Sequence, residues 1–238
     1  MNMHNIEGQI NIDLFPDKPT RQRVQVKSSR PVLASRVMQG KSPEQVLQVI
    51  PLMYNICGVA QARTAVAAIQ GALGQPTTET LETARDLLVL VENAREHLFR
   101  IIIDWPELFE LPRNTEAAPL LGRLVNAFKQ ALFFEGNAFA LDSRLEPDFT
   151  TLRQLSAELE HSFNQYVFQQ PCANWLEIND IDTLYQWANS NQRAAASSLA
   201  KICDEGWSSQ GFSNHIPLPE LDDEDWLKRL DAGDANDF

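Results

Sequence analysis

Sulfur and histidine are scarce in this chain. Cys57, Cys172 and Cys203 are the only cysteines among 238 residues, and an odd number at wide spacing makes no disulfide framework but suits free thiols in a reducing compartment. His4, His97, His161 and His215 have no metal-ligand spacing among themselves, and His97, in Arg95-Glu96-His97, reads as a helix-surface or packing residue. No Gly-x-Gly-x-x-Gly, phosphate loop or nucleophile elbow occurs, which removes support for nucleotide-dependent and acyl-transfer enzymes. No apolar run approaches the roughly 18 residues of a membrane span. Residues 1–11 lack a basic flank followed by an apolar core, so no signal peptide is expected and the expected location is the cytoplasm. Positive charge is also short. Twenty lysines and arginines stand against 32 acids, a formal charge of −12, which argues against nucleic acid and anionic membrane as partners. Half of that charge comes from residues 220–238, where eight acids face Lys228 and Arg229. This reads as a solvated acidic tail.

What is present suffices for one substantial core, with 44% apolar residues. The organisation expected is a single domain over residues 1–219, with a β element within 1–30 and a helical bundle over 42–205, then the acidic tail 220–238. Alternation at Ile6, Ile10, Ile12 and Leu14, resumed at Val24-Gln25-Val26, predicts a hairpin. Ser42-Pro43-Glu44-Gln45 reads as an N-cap with proline in the first turn and opens a helix through about Met53. An alanine-rich helix follows over 58–73, ended by Gly71 and Gly74. A long helix from Thr78 carries Leu81, Ala84, Leu88, Val91, Leu98 and Ile102 on one face until Asp104-Trp105-Pro106 stops it, with Trp105 packed into the bundle. The next runs from Glu116 to a terminator at Gly136, and another carries Leu152, Leu155, Leu159, Phe163 and Tyr166 until Pro171. A single further helix, capped by Asp180 or Asp182, carries Leu184, Trp187, Ala195, Leu199 and Ile202. A loop over 206–219 leads to a short acidic helix near 221–230. The fold class is mainly α, a helical bundle with a small N-terminal β-hairpin.

The chemistry concentrates at Tyr54-Asn55-Ile56-Cys57-Gly58-Val59-Ala60-Gln61. It has the form of half a Cys-x-x-Cys loop, with Ala60 where the second thiol would stand, and a methyl group cannot ligate a metal. Cys57 precedes a helix N-terminus, where the macrodipole favours a thiolate. Taken alone, a cysteine in that setting is a buried small hydrophobe, and Cys172 and Cys203 read as core packing.

The ordered set of segments resembles the large subunit of nickel–iron hydrogenases over residues 6–105. Ile6-Glu7-Gly8-Gln9 is similar to that family's Ile-Glu-Gly-His strand, Val37-Met38-Gln39-Gly40-Lys41-Ser42-Pro43 to its Lys-Gly-Arg-Asp-Pro helix opening, and Ile56-Cys57-Gly58-Val59-Ala60 to its Cys-Gly-x-Cys loop. The departures matter as much. Ala60 replaces the second cysteine, Thr64 and Gln9 stand for histidines, Ser35 stands for a glutamate, and no Asp-Pro-Cys-x-x-Cys pair is found. This pattern resembles the HupK/HoxV-type hydrogenase expression/formation proteins. The resemblance implies a large-subunit-like helical fold and a non-catalytic scaffold or accessory protein, not an enzyme. Cys57 would be a candidate ligand for iron carrying cyanide and carbonyl groups, with no nickel expected. Glu7 would support the site by accepting hydrogen bonds from the Cys57 loop backbone. The implied partners are the hydrogenase large subunit and its maturation proteins, and the sequence leaves open whether the chain is a natural short protein or a cut one. Two other readings stand beside it: a metal-free interaction module that binds maturation chaperones or the immature subunit, and, less favoured, a fragment of a catalytic subunit, which would need four thiolates where three cysteines exist.

Overall fold

Alternation at the N-terminus produces the expected hairpin. The computed structural model describes residues 8–19, 22–29, 34–212 and 222–231. Within them, β1 (Ile10–Leu14) pairs antiparallel with β2 (Val24–Ser28), Ile12 opposite Val26 and Leu14 opposite Val24. Period two sets the aliphatic residues of both strands on one face. Lys27 and Asp13 pair across the other face at 3.1 Å. Glu7, His4, His215 and much of the acidic tail lie outside the described residues.

Several helices begin at side-chain caps. At α1 (Pro43–Met53) the Ser42 hydroxyl accepts from the Gln45 N–H while the Gln45 side chain accepts from the Ser42 N–H, a reciprocal box that satisfies two amides the helix start leaves over. The following α2 (Gly58–Leu73) ends on Gly74 at φ 62°, a left-handed conformation that glycine adopts without strain. Helices α1 and α2 meet closely at Gly58. A Cβ there would lie 3.0 Å from the Pro51 carbonyl oxygen, so a larger residue would force the two helices apart.

The main core gathers on α3 (Glu79–Phe99), which Thr78 caps. Leu88 and Val91 meet Leu124 and Phe128 of α5 (Ala118–Leu132), Leu155 of α6 (Phe149–Phe163) and Val59 of α2. Burying each such side chain contributes about 1.5–3 kcal/mol before the entropy of ordering is set against it. A second cluster of Leu98, Ile102, Ala117, Leu121 and Val167 closes the other end.

Four boundaries differ from the sequence reading. The long helix does not stop at Pro106: it widens into a π turn over Arg100–Asp104 and continues as α4 (Trp105–Leu108). Pro106 sits in the first turn of α4, where a missing N–H costs nothing. Trp105 is accordingly 38% exposed rather than packed into the bundle. Gly136 does not end α5, because Phe133 already turns extended and pairs with Leu145. Helix α6 also passes into a π turn, Asn164–Phe168, which ends on Gln169 at φ 53° before Pro171 and α7 (Cys172–Leu176). The helix expected after Asp180 is two, α8 (Ile181–Ser190) and α9 (Ala194–Asp204). Buried Asn191 breaks it: its side chain accepts from the Arg193 N–H and donates to the Phe168 carbonyl. The short acidic helix is α10 (Asp223–Asp231). Among the described residues no helix is long and apolar enough to cross a membrane.

Candidate functional site

Cys57 occupies the N-cap of α2, but its side chain makes no capping hydrogen bond, and the residue is exposed. The Gln61 amide nitrogen, one turn on, stands 3.9 Å from the sulfur. The first-turn amides that a helix start leaves over are satisfied from another element. Val59 N–H donates to Glu92 Oε1 at 2.8 Å and Ala60 N–H to Glu92 Oε2 at 3.0 Å. Glu92 projects from α3 and is 4% exposed, so a buried carboxylate faces the positive end of the α2 dipole through two charge-assisted bonds. Three residues further on α3, Arg95 Nη2 donates to the Ile56 carbonyl at 3.3 Å. Helix α3 thus grips the Cys57 loop on both sides of the thiol.

Lys129 of α5 completes the charge balance behind the loop. Burial pulls its ammonium below the usual lysine range, Glu92 acts against that pull, and Arg95 adds to it. Its Nζ also lies 5.4 Å from the Phe139 ring centroid, where the ring face favours a cation. Beside the loop, Ile56, Arg95, Phe99, Arg100 and Leu121 line a groove of about 340 Å³.

Glu92 thus accepts from the Val59 and Ala60 amides of the loop's helical end, while Glu7, expected to accept from this loop's backbone, lies outside the described residues. Ala60 offers no donor atom beyond its backbone, and the Thr64 hydroxyl donates to the Ala60 carbonyl at 3.0 Å. Cys172 and Cys203 are half-buried free thiols, and His97 is exposed, the surface reading of the two open to it. Among the described residues no three His, Cys, Asp or Glu side chains stand close enough together to hold a metal ion. The sequence did carry a signal for Glu92: it stands four residues after Leu88 and one after Val91, in register with the apolar stripe of α3, where a charge must be buried and paired.

The same signal marks Arg85, one heptad earlier on α3, a residue that sequence reasoning did not single out. Its side chain is fully buried, yet each nitrogen finds an acceptor. Nε donates to the Ala138 carbonyl at 2.9 Å, Nη1 to Gln70 Oε1 and Glu82 Oε1 at 2.9 Å each, and Nη2 to the Ala140 carbonyl at 3.1 Å and Ser143 Oγ at 3.3 Å. Glu82 is held in turn by Arg63, which also pairs with Asp86, each at 2.7 Å. Burial lowers the Arg85 pKa, with Glu82 opposing. The network fastens the segment 137–143 onto α2 and α3. That segment and the start of α1, including Glu44 and Leu47, wall a cavity of about 560 Å³.

A helical chain with one exposed thiol on a carboxylate-capped loop is the class of protein these observations define. No family model matches it, and no solved structure matches it. Curated proteins do. The chain is 25% identical over 154 residues to the hydrogenase expression/formation protein HupK of Azotobacter vinelandii, covering 64% of this chain and 45% of that protein. It is 25% identical over 172 residues to the hydrogenase expression/formation protein HupV of Azotobacter chroococcum, covering 72% and 50%. Against the hydrogenase expression/formation protein HoxV of Cupriavidus necator it is 35% identical over 81 residues, covering 34% and 21%. The chain is thus a homologue of the HupK/HoxV-type hydrogenase expression/formation proteins, and its matches span about half of the first two relatives' length or less of the third.

Proposed function

We propose that this chain is a non-catalytic assembly factor in hydrogenase maturation, presenting Cys57 to an iron fragment that carries cyanide and carbonyl ligands on its way to the large subunit. The observation that carries this reading is the exposed thiol at the start of α2, on a loop that Glu92 and Arg95 hold from α3. A bare ion would need several protein donors around it. A fragment with its own diatomic ligands fills most of its coordination shell before it arrives, so one soft thiolate and a donor from a partner suffice. Release then exchanges the Cys57 thiolate for one from the large subunit, with no bond inside the fragment made or broken and no nickel involved. The partners are the hydrogenase large subunit and its maturation proteins, met in the cytoplasm.

Anaerobically purified protein should contain iron and display infrared stretching bands of cyanide and carbonyl, both absent from Cys57→Ala. Bands that persist in that variant would remove Cys57 from the mechanism. A second reading, a metal-free module that docks on maturation chaperones or the immature subunit, draws support from the uncovered aliphatic face of the hairpin. It predicts protein without iron that still co-purifies with the large subunit. Hydrogen turnover by the purified chain would overturn both.

A further inference from the structure

Two apolar surfaces of this chain lie open, and their charges are opposite. On the hairpin, Ile10, Ile12, Leu14, Val24 and Val26 share one face and are each between 54% and 70% exposed. A lone two-stranded hairpin is marginal in water, and a contiguous aliphatic face of this kind marks an interaction site. On the body, the outer sides of α3 and α6 form two adjoining grooves of about 430 and 340 Å³ that share Leu87. Leu90 and Phe149 in these grooves are 64% and 63% exposed.

Charge links the two surfaces. The hairpin sequence, residues 10–28, carries Lys18, Arg21, Arg23 and Lys27 against Asp13 and Asp17, whereas residues 42–238 carry thirteen lysines and arginines against twenty-nine acids. The groove linings include Glu79 and Glu160 and no lysine or arginine. A net-positive hairpin with an aliphatic face therefore has its complement on an acidic body with an aliphatic groove, and another molecule of the same chain offers such a body.

We propose that the aliphatic face of the hairpin seats in the α3–α6 groove of a second copy, and that the exchange is reciprocal. Hairpin and groove are different surfaces, so one-way docking would leave one of each free and run on into a filament. Mutual exchange closes a two-fold dimer. The inference uses neither Cys57 nor iron and stands apart from the function proposed above.

Sedimentation velocity on the full chain tests it. Wild type should run as a dimer at micromolar concentration. Ile12→Asp with Val26→Asp, which breaks the hairpin face, and Leu90→Arg, which breaks the groove, should each weaken association by at least about a hundredfold, since a charge placed in a desolvated contact removes its anchor. Far-UV circular dichroism should keep its helical signal, because none of these side chains is buried in the core. Mixing the two variants should restore a heterodimer through the one hairpin and the one groove left intact. A monomeric wild type, a hairpin protected only when a different protein is added, a dimer that survives both sets of substitutions, or variants that fail to recombine would each overturn the proposal.

Discussion

Arg85→Ala is expected to destabilise the protein by about 3–5 kcal/mol, the range found when one partner is removed from a buried charged network. The substitution empties the space of a fully buried side chain, strands the Gln70 side-chain oxygen, and leaves the Ala138 and Ala140 carbonyls to Ser143 alone. Stranded acceptors cost more than the missing bonds themselves, since water cannot reach them to compensate. Arg85→Met, which keeps much of the volume, should recover only the packing part of the loss. Urea unfolding followed by circular dichroism measures both. Native-state hydrogen exchange should show the damage spreading first to the segment after α5, where the Phe134, Glu146 and Asp148 amides close the turn. A loss below about 1 kcal/mol would mean that the network forms without contributing to the fold.

Glu92→Ala comes next in size, at about 2–3 kcal/mol, because two amides at the start of α2 lose a charged acceptor at once. Glu92→Gln should fall between: its amide carbonyl replaces one oxygen, while its NH2 meets the second N–H donor to donor. The loss would also remove the charge that supports the half-buried Lys129 ammonium, pulling the lysine further down. Faster exchange of the Val59 and Ala60 amides is the local readout, and unchanged protection there would contradict the capping role.

These two positions also mark the limit of what the sequence made legible. Helix starts were readable at Ser42 and Thr78, and to within Asp180 or Asp182, of which Asp180 is the cap, because each cap supplies an oxygen acceptor to the first turn. The hairpin followed from alternation, and Cys57 was correctly set at the opening of α2. The π turns at Arg100–Asp104 and Asn164–Phe168 were not readable, since an extra residue in a helical turn follows from packing and leaves no mark in composition. The α8–α9 break was missed for a similar reason. It depends on Asn191 bonding to a carbonyl 23 residues away, with no glycine or proline to announce it. At the site itself, the thiol was visible and its support was not. Periodicity drew attention to Leu88 and Val91, while Glu92 passed as one of many acids. Its register with Leu88 marks it for burial, but the amides it pairs with are set by a crossing helix, which no local pattern encodes.

The proposed function has this chain serve the assembly of a hydrogenase, with Cys57 as the group that handles its cargo. Hydrogenase activity in cells from which the chain has been deleted is the most direct test, with the chain and its Cys57→Ala variant returned separately. The account predicts that activity is lost on deletion, returns with the wild-type chain, and stays low with Cys57→Ala although that variant accumulates as folded protein. Full hydrogenase activity in the deleted cells would contradict it.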